Sequence, residues 1–234
     1  MGAAFAPRFV AALARGVLDA YAEFEGRPKL PHGWEPLAWL VAEAGAGVPE
    51  DFGFVARREG ELVVALRGSD SFADLISDAD VEYAAPPFEA GAARCDAGAV
   101  RLYASIQKQV WDALAERRSQ ALRVVGHSLG GAVAALLALD LAPRWAAPLA
   151  LYSFGSIRPG DWRFRRRLRR APIEAWRIEN PRDLVPHWPP LWLCYRHVGR
   201  RVRVRLPGAE GALAQHSMER YCRAVEALAQ GSPP

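Results

Sequence analysis

The chain has 234 residues, 51% of them hydrophobic and 24% charged, enough apolar material to bury a full core and too much for a disordered chain. Its net charge of +4 is modest and comes largely from clusters of arginine. Three cysteines, Cys95, Cys194 and Cys222, are odd in number and widely separated, so neither a disulfide framework nor a zinc motif is indicated, and buried thiols are expected.

The residues read as one domain over 1–234, with an N-terminal helical part at 1–48 and a frayed tail at 231–234. Ala3 to Phe24 carries apolar residues at near-helical spacing, and Gly33 to Val48 follows with a less regular pattern. The apolar stretch Phe9–Ala14 is cut by Arg15, too short for a secretory leader, so a cytoplasmic chain is expected, secretion after removal of a leader being the alternative. The longest apolar run, Gly130 to Leu139, stops at Asp140, far short of the ~20 residues that span a bilayer. A soluble protein is expected.

Two strand-like runs, 52–57 and 62–67, flank Arg58-Glu59-Gly60-Glu61, the pattern of a hairpin. Val100, Tyr103, Ile106, Val110 and Leu114 recur at helical spacing. Then Leu122-Arg123-Val124-Val125 runs into Gly126-His127-Ser128-Leu129-Gly130 and an Ala/Leu-rich helical segment to Leu141. Strand, tight turn and helix with a serine at the apex form the pattern of a nucleophile elbow, in which Gly126 and Gly130 leave room for a strained turn. Leu149 to Phe154 and Ala175 to Ile178 read as strands on either side of a helical segment, Val202 to Leu206 as another strand, and Met218 to Ala229 as the last helix. Strands alternating with helices predict an α/β fold: a mostly parallel central sheet with helices on both faces and an N-terminal antiparallel hairpin.

A serine needs a base, and the base an orienting carboxylate. In a fold of this kind the partners follow in the order Ser, acid, His, with the acid just past a strand end. Asp183, in the turn Asn180-Pro181-Arg182-Asp183, fits best. Glu179 points from within a strand, and Asp161 has helix capping as its plainer role. Of the later histidines, His187 is too near the acid in sequence and His197 begins a strand, which leaves His216, in the loop before the last helix, as the base. Capping beside Ser217 is its structural alternative, and His127 is expected to pack or bond locally. Two donors must hold the oxyanion. The Leu129 N–H supplies one by the geometry of the elbow, and Ser69, at the end of the strand 62–66, offers a second N–H and a hydroxyl, an ordinary turn being the alternative there.

Five segments in order resemble the signatures of the class 3 (fungal-type) lipases, in the α/β-hydrolase superfamily: Arg-Gly-Ser-Asp-Ser at 67–71, Gly-His-Ser-Leu-Gly-Gly at 126–131, Phe-Gly-Ser-Ile-Arg-Pro-Gly at 154–160, Asn-Pro-Arg-Asp-Leu-Val-Pro at 180–186 and Tyr-Arg-His-Val-Gly at 195–199. The resemblance covers about residues 50 to 222. It implies an α/β-hydrolase fold, hydrolysis of carboxylic esters or phospholipids without a metal or cofactor, the triad Ser128, Asp183 and His216, and Ser69 in the oxyanion hole. Asp96-Ala97-Gly98-Ala99 stands where the family commonly has His-x-Gly-Phe. Phe72, Leu75 and Ile76 fall where these lipases carry a lid; a fixed loop with those side chains in the core is the alternative.

The substrate is expected to be a lipid ester, as in a triacylglycerol lipase or carboxylesterase. Alternatives are a phospholipase A1 or thioesterase with the same triad, or a catalytically silent lipid- or partner-binding module on the same scaffold. Trp188, Leu191 and Trp192 follow the Asp183 loop as walls of an acyl groove, as an interfacial patch or as core. Arg163 to Arg170 holds six arginines in eight residues, a solvated helix face, with docking on anionic lipid as the second reading. No aromatic stacking platform accompanies it, so nucleic acid is not an expected partner.

Overall fold

The computed structural model describes residues 5–21, 30, 33–43, 49–68, 82–88, 93–205, 211 and 214–231. The expected hairpin pairs β2 (Pro49–Arg58) with β3 (Glu61–Leu66), closed by Glu59 and Gly60, both at positive φ, as a two-residue hairpin turn requires. Three strands continue from β3 in parallel: β6 (Leu122–His127), β7 (Leu149–Phe154) and β8 (Ile173–Glu179), with β9 (Arg200–Arg203) parallel to β8 at the far edge. The strand expected at 202–206 is thus displaced toward its N-terminus, and Leu206 lies outside the described residues. A separate two-stranded ribbon joins β4 (Tyr83–Ala84) to β5 (Cys95–Asp96).

The N-terminal part differs from expectation. Helix α1 covers Pro7–Asp19, but Trp34–Glu43 is a strand, β1, paired antiparallel with β2 at the other edge of the sheet, so the 1–48 part is not helical throughout. Register shifts at Pro36/Ala38 and Leu40/Val41 break the period-two alternation that marks a strand in a sequence. The strand's outer edge is partly capped: Gln109 accepts from Val41 N–H at 3.0 Å and donates to Val41 C=O at 2.8 Å. Among the described residues the main sheet has the order β1-β2-β3-β6-β7-β8-β9.

Side chains on successive residues of β3 go to opposite faces and seed two cores. Leu62, Val64 and Leu66 pack with Leu122 and Val124 against helices α2 (Ala97–Leu114) and α3 (Leu129–Leu141). Val63 and Ala65 pack with Val125 against α1 and the C-terminal helix, whose range Met218–Ala229 matches the sequence reading. All thirteen residues of α3 are buried, as expected for a helix apolar on every side. Between β7 and β8, helix α4 (Trp162–Arg170) buries only Phe164 and Leu168 and exposes its six arginines. The C-terminal helix is α5. Every polar side chain of the site described next leaves the sheet at, or reaches over, the carboxyl ends of β3, β6 and β8, where parallel sheets place ligands.

Candidate active site

The turn around Ser128 is built by close approach. Ser128, between β6 and α3, has φ 57° and ψ −127°, a conformation a side chain adopts only when its surroundings impose it. A Cβ on Gly126 would lie 2.3 Å from the Gly130 carbonyl oxygen, and one on Gly130 would lie 2.1 Å from that of Arg67. The two glycines therefore serve packing of the turn against its own helix and against the end of β3. Ser128 Oγ is buried and makes no hydrogen bond among the described residues. Catalytic hydrogen bonds commonly tighten only when substrate is in place.

Asp183 sits where the turn after β8 brings it, fully buried, with both oxygens engaged. Oδ1 accepts from Val185 N–H at 2.9 Å, and Oδ2 accepts from the Tyr221 hydroxyl at 2.7 Å and from His216 Nδ1 at 2.8 Å. Nδ1 of His216 therefore carries the proton, and Nε2 is left as the basic atom. Burial, then the Asp183 charge, pushes the Tyr221 hydroxyl well above its ordinary pKa, so it stays a donor. The loop of His216 is clamped to the Asp183 turn by Asn180, whose Nδ2 donates to the carbonyl and side-chain oxygens of the buried Gln215 at 3.2 and 2.9 Å. Arg158, from the segment 154–160, donates to the carbonyls of His187 and Pro189 and fastens the chain that follows Asp183.

The rival candidates lie elsewhere. His187 is exposed. His197 stands 3.5 Å from Glu179 and is held neutral, at about 2, by burial and then the Arg177 guanidinium. Glu179 is engaged by Arg177. Asp161 caps α4 through the N–H groups of Arg163 and Phe164, and Ser217 caps α5 beside His216. Asp96, in the segment departing from the lipase pattern, caps α2 through Ala99 N–H. His127 is buried and its ring stacks on that of His216 at 4.5 Å. Its partners are distant in sequence: Nε2 meets the His216 carbonyl at 2.8 Å and Nδ1 the Tyr21 hydroxyl at 2.6 Å, and the oxygen of that hydroxyl accepts from Gly68 N–H at 2.7 Å.

Leu129 opens α3, so its N–H belongs to the first turn, where helices leave donors free. Ser69 and the lid residues Phe72, Leu75 and Ile76 lie outside the described residues. The three groove residues do not share one environment: Trp188 packs half-buried against the larger core, whereas Leu191 and Trp192 are 55% and 82% exposed. Cys95 and Cys222 are buried as expected, but Cys194 is exposed. A cavity of about 540 Å³, lined by Arg165, Leu168, Arg169, Ile173 and Arg200, lies at the opposite ends of β8 and β9 from Asp183. Among the described residues no three His, Cys, Asp or Glu side chains converge as metal ligands.

A family model described as Lipase (class 3) matches residues 63–192, more than half of the chain. The chain belongs to the class 3 lipase family. A Rhizomucor miehei lipase is 35% identical over 156 residues, 62% of this chain and 42% of that protein. A phospholipase A1-II 6 of Oryza sativa subsp. japonica is 30% identical over 222 residues, 76% of this chain and 53% of that one. The chain thus matches about half the length of these relatives. Lipase II from Rhizopus niveus superposes with a TM-score of 0.71 at 21% identity, covering 88% of this chain and 83% of that one, and establishes the α/β-hydrolase fold. Tyr21, Tyr221, Asn180 and Gln215 escape sequence reasoning, because each contributes only a polar atom or two from a segment that otherwise reads as helix or turn.

Proposed function

We propose that the protein is a serine hydrolase that cleaves carboxylic esters of lipids through an acyl-enzyme on Ser128. One observation carries this reading: a buried carboxylate, Asp183, fixes the tautomer of His216, whose ring stacks on the residue preceding a serine in a strained strand-to-helix turn. His216 Nε2 takes the Ser128 proton as Oγ attacks the ester carbonyl, the Leu129 N–H and Ser69 hold the oxyanion, and the alcohol leaves with the proton returned by His216. Water then attacks the acyl-enzyme with the same base and releases the acid. Leu184, Leu191 and Trp192, exposed in the chain that leaves the carboxyl end of β8, support contact with a lipid surface. A second reading, phospholipase A1 activity, is supported by the rice relative, whose match covers more of the chain than that of the fungal lipase.

The test is hydrolysis of p-nitrophenyl esters from acetyl to palmitoyl, and of phosphatidylcholine vesicles, by wild type and Ser128→Ala. Turnover lost in the variant is expected, and its acyl and head-group preference separates esterase, lipase and phospholipase. Equal turnover in the two proteins, or none on any substrate, would overturn the reading in favour of a silent binding module.

A further inference from the structure

We propose that Tyr21 and His127 are positioning residues that tie the end of α1 to the catalytic base and to the strand end beside the nucleophile. The inference rests on the hydrolase reading above and adds two residues to its machinery.

The direction of each hydrogen bond follows from elimination. A carbonyl oxygen only accepts, so the 2.8 Å contact between His127 Nε2 and the His216 carbonyl requires the proton on Nε2. Burial, reinforced by the neighbouring His216, keeps the His127 ring neutral, so Nδ1 is bare. The 2.6 Å contact at Nδ1 must then be a bond donated by the Tyr21 hydroxyl, and the oxygen of that hydroxyl accepts the Gly68 N–H at 2.7 Å. A directed chain results: Gly68 N–H to Tyr21 Oη, Tyr21 O–H to His127 Nδ1, His127 Nε2–H to His216 C=O.

The geometry gives this chain a catalytic consequence. Gly68 lies against the nucleophile, since a Cβ on it would come within 2.8 Å of Ser128 Cβ. The bond from Gly68 N–H to Tyr21 thus anchors the end of β3 that lies against the nucleophile. At the other end His127 holds the backbone of His216 while Asp183 holds its ring, and the two grips together fix position and rotation of the base. The stack at 4.5 Å also requires a neutral His127, because a second cation there would oppose the imidazolium that forms on His216 during acyl transfer. Tyr21 keeps His127 in that form by donating to its bare nitrogen.

The test compares wild type, Tyr21→Phe, His127→Gln and the double variant on a short soluble ester, with long-range proton–nitrogen NMR of the His127 ring. Wild type should show a protonated Nε2 and a hydrogen-bonded bare Nδ1, and in Tyr21→Phe the Nδ1 resonance should move to that of an unbonded nitrogen. We expect kcat in Tyr21→Phe to fall about tenfold to a hundredfold with KM nearly unchanged, the signature of misplaced reacting groups. The double variant should be no worse than the poorer single one, since both break the same chain. Circular dichroism melts check that the variants are folded. A protonated Nδ1 in wild type, or an unchanged kcat in folded Tyr21→Phe, would overturn the proposal even if Ser128-dependent turnover is intact. Absence of Ser128-dependent turnover in wild type would instead sink the hydrolase reading and the catalytic role with it, while the NMR arm still decides whether Tyr21 sets the His127 tautomer.

Discussion

Two buried aspartates in this protein look alike and do different things. Asp183 accepts from Tyr221, Val185 N–H and His216; Asp140, on α3, accepts from Tyr103, Gln107 and Trp111 and has Arg144 at 3.8 Å. Each is almost fully buried, each has a tyrosine donor, and in each case burial raises the pKa of that tyrosine. The difference lies in the remaining partners. Around Asp140 each is a fixed donor, so that network welds α2 to α3 and ends there. Around Asp183 one partner is an imidazole, and its ring stacks on that of His127, the residue before the strained Ser128. In the proposed reaction the Asp183 network becomes a site because an imidazole links it to the nucleophile, and among the described residues the Asp140 network has no such link.

The strongest way to break the comparison is Asp183→Asn. The amide leaves the geometry nearly intact but turns a donor toward His216 Nδ1, favouring the wrong tautomer, and we expect kcat to fall about 10⁴-fold while the protein stays folded. A steady-state assay beside a thermal melt checks it; a melt that collapses with activity would make Asp183 no different from Asp140. The converse change, Asp140→Leu, strands the buried Tyr103 hydroxyl and the half-buried donors of Gln107 and Trp111, and should cost roughly 2–5 kcal/mol of stability. Per folded molecule, kcat should be unchanged, as denaturant titration and active-site counting would show.

The most gradual effect concerns pH. His197 is held near 2 in the folded chain, below the ordinary histidine value, so the unfolded state binds a proton that the folded state refuses. Its contribution is fully present above about pH 6.5 and is lost as pH falls toward 2, with a slope of at most about 1.4 kcal/mol per pH unit. His197→Gln should flatten the acid limb of stability measured by urea titration between pH 4 and 6, and leave the pH profile of turnover in place.

What the sequence makes legible is what local chemistry decides. The run from Leu122 to Leu141 reads correctly because a β-branched strand, two glycines and an all-apolar helix are each set by neighbouring residues. Asp183 and His216, expected as partners, do meet, because parallel strands bring successive loops to one end of the sheet. Trp34–Glu43 misleads because two bulges put its apolar residues out of alternation, leaving spacing close to a helix. Tyr21 and His127 are 106 residues apart, and nothing in the composition around either announces a contact that only the folded sheet creates. Tyr221 reads as one more apolar residue on the inner face of α5, because its hydroxyl is a single atom on a side chain that the core would bury anyway. Gln215 and Asn180 look like loop polars until the loops meet.

The strand at the far edge, β9, has only four residues, and Arg200, Arg201 and Arg203 are all exposed. A second copy of the chain adding itself to that edge would bring its own row of guanidinium groups to within about 4.8 Å, the spacing of neighbouring strands. The attraction of unpaired backbone groups would then be opposed by charge at almost every residue. Among the described residues, the arginines of this edge thus oppose a mate by charge, at the border farthest from the bulged strand β1.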